Sequence, residues 1–90
     1  MIELSQQRID TLTQASNWVS RTIPISWYTY SNLWRIQNII RNKQYTKDDV
    51  YIMNTLVSIW KEYECLSYDT VRSIIETHTD GAMKNRFQMW

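Results

Sequence analysis

Side chains used for nucleophilic, acid–base or metal chemistry are scarce in this sequence. It contains one histidine, His78, and one cysteine, Cys65, and they flank the same predicted helix. No His/Glu or Cys/Cys spacing typical of a metal site occurs. We interpret Cys65 as a small buried apolar residue and His78 as a partly exposed residue at a helix C-terminus. The sequence therefore predicts no catalytic residue, no metal and no cofactor, and the protein is expected not to be an enzyme.

Turn-forming residues are equally rare, with one glycine, Gly81, and one proline, Pro24. A glycine-rich loop that wraps phosphates is excluded, because several glycines are needed to bring the backbone close to the ligand. The tight turns of β-hairpins are almost excluded for the same reason. The composition therefore favours helices.

Aromatic residues are abundant, since the chain of 90 residues has five tryptophans and six tyrosines. Each large ring buries about 150–250 Å², whereas a domain of this length buries only about 60–65% of the surface that its unfolded chain exposes. We therefore expect some rings to contact a partner, as tryptophan and tyrosine do at interface hot spots. The expected partner-binding residues are Trp18, Trp27, Tyr28, Trp34 and Trp90.

The elements that position these rings are expected to be helical. The spacing of apolar residues predicts an all-α fold, a compact bundle of about four helices in a single domain spanning 1–90. The third helix has apolar residues over more than half of its circumference and is expected to be central. The predicted helices run from about Leu4 to Arg21, Trp27 to Asn42, Lys47 to Glu64 and Tyr68 to Asp80.

Local signals set the predicted helix boundaries. Pro24 ends the first helix, because the residue before a proline avoids helical torsion angles. Ser26 is expected to cap the second helix, and Ser67 the fourth. Thr46 followed three residues later by Asp49 predicts a capping box at the start of the third helix.

The C-terminal residues are predicted to form a short apolar segment that docks on the bundle. Gly81 lies where a left-handed residue typically ends a helix. Beyond it, Met83, Phe87 and Trp90 are spaced four and three residues apart, which places them on one face of a helical turn.

Residues 66–80 resemble the turn and second helix of a helix-turn-helix motif. Leu66 and Ser67 match the apolar and hydroxyl positions of the turn, and Val71 and Ile74 match inward positions of the recognition helix. The resemblance implies a helix that reads bases in the major groove.

The charges of the same segment favour an ordinary capped helix that packs on the third helix. Its acids repel phosphate, and Arg72 is the one cation among them. Cys65 stands where the motif usually has a glycine. The acids are Asp69, Glu76 and Asp80.

A second nucleic-acid alternative comes from residues 27–43, where rings alternate with cations, a combination that single strands bind by stacking and charge. The rings are Trp27, Tyr28, Tyr30 and Trp34. The cations assigned to the nucleic-acid alternatives are Arg35, Arg41, Lys43, Arg72, Lys84 and Arg86. The net charge of only +1 favours a protein interface instead.

Charge is divided unevenly along the chain. Residues 1–45 carry five Lys or Arg and two acidic residues. Residues 46–80 carry three Lys or Arg and seven acidic residues. These halves could pair within the fold or between two copies.

We expect a small interaction or regulatory protein that binds another protein or itself, such as an accessory protein of a virus or mobile element that inhibits a host enzyme. A single cysteine and the absence of a signal-peptide or membrane-spanning pattern predict a cytoplasmic location and no membrane.

Overall fold

The computed structural model describes residues 1–77 and 81–90 and confirms the all-α class. Within these residues there are five α-helices rather than four. The C-terminal segment forms a full helix of mixed composition. The α-helices are α1 (Gln6–Thr22), α2 (Tyr30–Asn42), α3 (Val50–Tyr63), α4 (Tyr68–Thr77) and α5 (Gly81–Met89). Short strands β1 (Ile2–Glu3) and β2 (Gln44–Tyr45) and 3₁₀ turns at Ile25–Trp27 and Lys47–Asp49 complete the order.

The first helix, α1, begins directly after its N-cap residue, Ser5. The Ser5 hydroxyl accepts a hydrogen bond from the Arg8 N–H at 3.2 Å, which satisfies one of the free donors of the first turn. Leu4, predicted to be helical, is extended instead and donates its N–H to the Lys43 carbonyl at 2.8 Å. The start of the chain is thereby tied to the end of α2.

The predicted start of the second helix is wrong. Ser26 lies inside the 3₁₀ turn and does not cap α2, which begins after Thr29. The Trp27 side chain points into the core and is only 3% exposed. Because Tyr28 then adopts an extended backbone, the chain re-enters a helix three residues later than the apolar pattern predicts.

The two strands pair antiparallel, with Ile2 opposite Tyr45 and Glu3 opposite Gln44. They join the beginning of the chain to the connection between α2 and α3. The two strands are far apart in the sequence, so no tight turn joins them. Their pairing therefore does not require the glycine-rich turns of a β-hairpin, which this chain lacks.

The hydrophobic core lies between α1 and α3, with α2, α4 and α5 packed around them. The inner face of α1 includes Leu12, Ala15 and Val19, all fully enclosed. The predicted central position of α3 is shared with α1, which contacts α2, α3 and α4. The buried residues of α3 are Ile52, Met53, Leu56, Val57, Ile59 and Tyr63.

Gly81 does not form the predicted left-handed helix end. It is the first residue of α5 and has no positive φ. The predicted end of the fourth helix at Asp80 lies outside the described residues. On α5, Met83 and Phe87 are fully buried.

The predicted capping box at the start of the third helical segment is confirmed. Asp49 Oδ2 accepts hydrogen bonds from the Thr46 N–H at 2.8 Å and from the Thr46 hydroxyl at 3.1 Å. Its Oδ1 accepts from Arg35 Nε at 2.5 Å, which connects α2 to the start of α3. Burial alone raises the pKa of Asp49, but the Thr46 and Arg35 hydrogen bonds outweigh it and hold the pKa below its usual value.

Replacing Asp49 by alanine is expected to destabilise the fold by about 1–3 kcal/mol, because the cap and the ion pair are lost together. The effect should depend on pH. A lowered folded pKa means that the carboxylate stabilises the fold above about pH 4, its unfolded pKa, and that this contribution disappears as the pH falls through the folded value.

Urea unfolding between pH 7 and pH 3 measures both effects. Asp48→Ala is the matched control, since Asp48 is exposed, and it should change the free energy of unfolding by less than about 1 kcal/mol. Equal acid sensitivity of the wild type and Asp49→Ala would contradict the assignment.

Lys43 ends α2 in the left-handed region, with φ 57°, and its N–H donates to the Ile39 carbonyl at 2.8 Å. A side chain crowds the backbone in this conformation, and glycine adopts it without that penalty. Lys43→Gly is therefore expected to stabilise the fold by roughly 0.5–1 kcal/mol in urea unfolding. Lys47→Gly, where the backbone has no positive φ, should destabilise instead. A loss of stability in Lys43→Gly would refute this explanation.

Candidate partner-binding surface

Three of the five residues predicted to face a partner are buried within the chain. Trp27 is 3% exposed, Tyr28 is 8% exposed and Trp90 is 2% exposed. The predicted surface position of these three is wrong. Trp90 donates its indole N–H to the Ile52 carbonyl at 3.0 Å, and its ring centroid lies 5.9 Å from that of Tyr28. The C-terminus therefore folds back onto the 3₁₀ turn that follows Pro24.

Fewer aromatic rings are left on the surface than the composition implies, because several aromatic residues pack on one another. The accessible surface is 5606 Å², close to the roughly 5,600 Å² that size scaling gives for a folded monomer of this mass. Five of its twelve aromatic side chains are buried within the chain, and three more are partly buried. The argument for a docking surface therefore depends on the individual rings that remain exposed.

Trp18 is half-buried and forms a wall between two clefts. Its ring centroid lies 6.0 Å from that of Phe87, which anchors it to the edge of the core. The clefts measure about 330 Å³ and 260 Å³, and both are also lined by Arg21. Trp60 closes the first cleft, and Tyr68 contributes to the second. Because Trp18 already packs on Phe87, little of its area is left to bury against a partner.

Trp34 is the most exposed tryptophan, with 52% of its surface accessible. Tyr30 lies one turn earlier on the same face of α2 and is 60% exposed. The two rings and Ser31 line an open groove. The Arg41 guanidinium carbon lies 6.0 Å from the centre of the Trp34 ring. We call Tyr30, Trp34 and Arg41 the α2 stripe.

The inner face of α2 holds the α2 stripe in place. Leu33, Ile36 and Ile39 are buried against the core. Gln37 Nε2 donates to the Ser16 hydroxyl of α1 at 3.3 Å, and Arg35 is bound to Asp49. With its inner face and flank anchored, α2 presents the stripe on a rigid helix, which limits the entropy lost on binding.

The cations of the nucleic-acid alternatives are distributed over α2, α4 and α5, and several are already paired. Arg35 binds Asp49, and Arg86 forms an ion pair with Glu62. Arg72 lies 3.9 Å from Glu76 and over the Tyr68 ring. Among the described residues, Arg41, Lys43 and Lys84 form no ion pair. Of the four rings in this alternative, Tyr30 and Trp34 are exposed and the other two are buried.

The segment that resembles a helix-turn-helix forms a capped helix. The Ser67 hydroxyl accepts a hydrogen bond from the Thr70 N–H at 3.1 Å, as the predicted N-cap requires. Val71 and Ile75 are buried. α4 packs against α1. The predicted packing of this helix on the third helix stays a prediction.

The residues singled out for reactive chemistry lie apart from the α2 stripe. Cys65 is exposed in the turn between α3 and α4, contrary to the predicted burial, because the chain leaves α3 two residues earlier. Its thiol approaches the Glu62 carbonyl at 3.8 Å. His78 lies outside the described residues.

Within residues 1–77 and 81–90, two other structural features are absent. No cluster of three or more His, Cys, Asp or Glu side chains is placed to hold a metal ion there. In the same ranges, no helix combines the length and apolarity needed to cross a membrane. No protein-family model matches the sequence, and comparisons with curated proteins and with solved structures find no significant match.

Proposed function

We propose that this chain is a small non-enzymatic protein-binding domain that docks on another protein through the α2 stripe. The observation that carries the proposal is Trp34, an indole half exposed beside a second exposed ring and beneath a guanidinium. Tryptophan, tyrosine and arginine are the residue types most enriched at interface hot spots. The α2 stripe contains one of each.

The energy available at Trp34 is large enough for a hot spot. Covering the exposed half of its side chain removes on the order of 100 Å² from water, which is about 2.5 kcal/mol of hydrophobic free energy. Tyr30 adds a second ring one turn away. Both side chains have few rotatable bonds, so little conformational entropy is lost when they are fixed.

Single-stranded nucleic acid is the alternative partner class, because stacked rings beside cations also suit unpaired bases. On α2 and its cap, the cations without an ion pair among the described residues are Arg41 and Lys43. Two phosphate contacts give a salt slope of about −1.4 in a plot of log K against log salt. A protein interface dominated by the two rings should respond less to salt.

A role as an accessory protein of a virus or mobile element that modulates a host protein stays a prediction. Size and composition support it, and no particular residue of the α2 stripe does.

The test starts with capture of partners from the organism that encodes the chain, followed by identification by mass spectrometry. Each purified partner is then titrated calorimetrically with the wild type and with Trp34→Ala. We expect the substitution to weaken binding about 30-fold or more, the effect of losing a hot-spot residue.

Tyr51→Ala is the matched control, because Tyr51 is 64% exposed on a different helix. It should leave the dissociation constant unchanged. A partner that binds Trp34→Ala as tightly as the wild type would overturn the proposal. Captured nucleic acid with the salt slope given above would favour the alternative.

A further inference from the structure

We propose that the α2 stripe recognises a protein segment in which a carboxylate lies next to an apolar side chain. The apolar group packs on Tyr30 and Trp34, and the carboxylate binds Arg41 with help from Lys43. This inference rests on the proposed function and specifies the chemistry of the partner.

The charge of α2 carries the first step. Residues 30–43 contain Arg35, Arg41 and Lys43 and no acidic residue. Asp49 neutralises Arg35 at 2.5 Å. Arg41 and Lys43 are exposed and have no ion-pair partner in the described part of the chain. The C-terminal half of the stripe therefore carries uncompensated positive charge beside an aromatic surface.

The position of Arg41 carries the second step. Its guanidinium carbon lies 6.0 Å from the centre of the Trp34 ring. A cation at this distance from a ring is held by the ring quadrupole, which restricts the side chain before any ligand arrives. Such a contact consumes none of the N–H donors of the guanidinium. A carboxylate fits two of those donors at once, which gives both strength and orientation.

Lys43 carries the third step, because its backbone is fixed. Its N–H donates to the Ile39 carbonyl, and its own carbonyl accepts from the Leu4 N–H, both at 2.8 Å. The residue adopts the left-handed conformation that favours glycine. Lys43 is thus a second exposed cation at the end of α2, two residues after Arg41 in the chain, and its strained backbone is consistent with a functional constraint.

A second copy of this chain does not fit the α2 stripe in a symmetric pairing. Two stripes face to face would contribute two Arg41 and two Lys43 side chains and no acid from either α2, so a symmetric pairing would leave their positive charge unneutralised. The occupant is therefore a different chain that supplies the negative charge.

Selection from a phage-displayed library of random dodecapeptides tests the inference directly. The library is panned in parallel on the wild type, Trp34→Ala, Arg41→Glu and the control Tyr51→Ala, each first shown to be folded by circular dichroism. Wild type and Tyr51→Ala should enrich peptides with Asp or Glu close to an aromatic or aliphatic residue. Trp34→Ala should lose them. Arg41→Glu should select peptides in which Lys or Arg replaces the acid.

A synthetic copy of the best wild-type peptide then separates the two proposals. Arg41→Gln should weaken its binding about tenfold, the loss of one charge-assisted contact, and Lys43→Gly about threefold. Trp34-dependent peptides without an acid preference, unaffected by Arg41→Glu, would overturn the inference and leave the docking function standing.

Two other results would count against both proposals. One is the enrichment of no peptide that depends on Trp34. The other is a fluorescein-labelled oligothymidylate that binds through Trp34 more tightly than any selected peptide, which would establish nucleic acid as the ligand.

Discussion

Replacing Trp90 by alanine is expected to destabilise the fold by about 3–5 kcal/mol. The side chain is 2% exposed, donates its indole N–H to the Ile52 carbonyl and packs against Tyr28. Its removal leaves a cavity where α5 meets the 3₁₀ turn and α3. Because domains of this size are stable by only about 5–10 kcal/mol, the loss is a large part of the total.

Equilibrium urea unfolding followed by far-ultraviolet circular dichroism measures the loss. Trp90→Phe separates packing from hydrogen bonding: it keeps most of the apolar contact and should cost about 1–2 kcal/mol. Trp34→Ala is the exposed comparison and should cost less than about 1 kcal/mol. If Trp90→Ala proved as stable as Trp34→Ala, the docking of the C-terminus on the 3₁₀ turn would be refuted.

Replacing Phe87 by alanine should lower the free energy of unfolding by a similar amount, about 3–5 kcal/mol. Here the loss comes from ring packing in the core and involves no hydrogen bond. Phe87 is completely buried between α1 and α3, with its ring 6.0 Å from that of Trp18 and 6.5 Å from that of Tyr63. Aromatic contacts of this geometry add about 0.5–1.5 kcal/mol each to the area that they bury.

The Phe87 prediction has a spectroscopic readout. Subtracting the emission of a Trp18→Phe background isolates Trp18, whose emission should shift to the red as Phe87→Ala opens its environment to water. Gln88→Ala, at an exposed neighbouring position, should change neither stability nor emission. An unshifted Trp18 spectrum in Phe87→Ala would show that Phe87 does not anchor Trp18.

These predictions separate the core aromatic residues from the α2 stripe. Substitutions at Trp90 and Phe87 are expected to destabilise the fold, whereas substitutions at Trp34 and Arg41 are expected to impair binding in a protein of nearly unchanged stability. The distinction makes Trp34 a usable probe of function, because a lost interaction in Trp34→Ala cannot be attributed to a lost fold once its circular dichroism matches the wild type.

Local features of this fold were predictable from sequence because their causes lie within a few residues. The capping box of Thr46 and Asp49 and the cap formed by Ser67 depend on residues three positions away. The scarcity of glycine and proline, together with apolar spacing, was sufficient for the all-α class. Errors arose where local patterns were ambiguous, as in residues 26–29, where a 3₁₀ turn and an extended segment replace the predicted first turn of α2.

The burial of individual rings depended on tertiary contacts. Trp27 and Trp34 are both tryptophans of the predicted second helix, yet one is 3% exposed and the other 52%. α5 folds back so that Trp90 reaches Tyr28 and Ile52, and this encloses rings that local spacing left on the surface. The sequence alone determined the helical class, the capping box at Thr46, the cap at Ser67 and the abundance of rings. Only the tertiary structure decided which rings remain exposed, because burial depends on segments distant in the chain that periodicity cannot place.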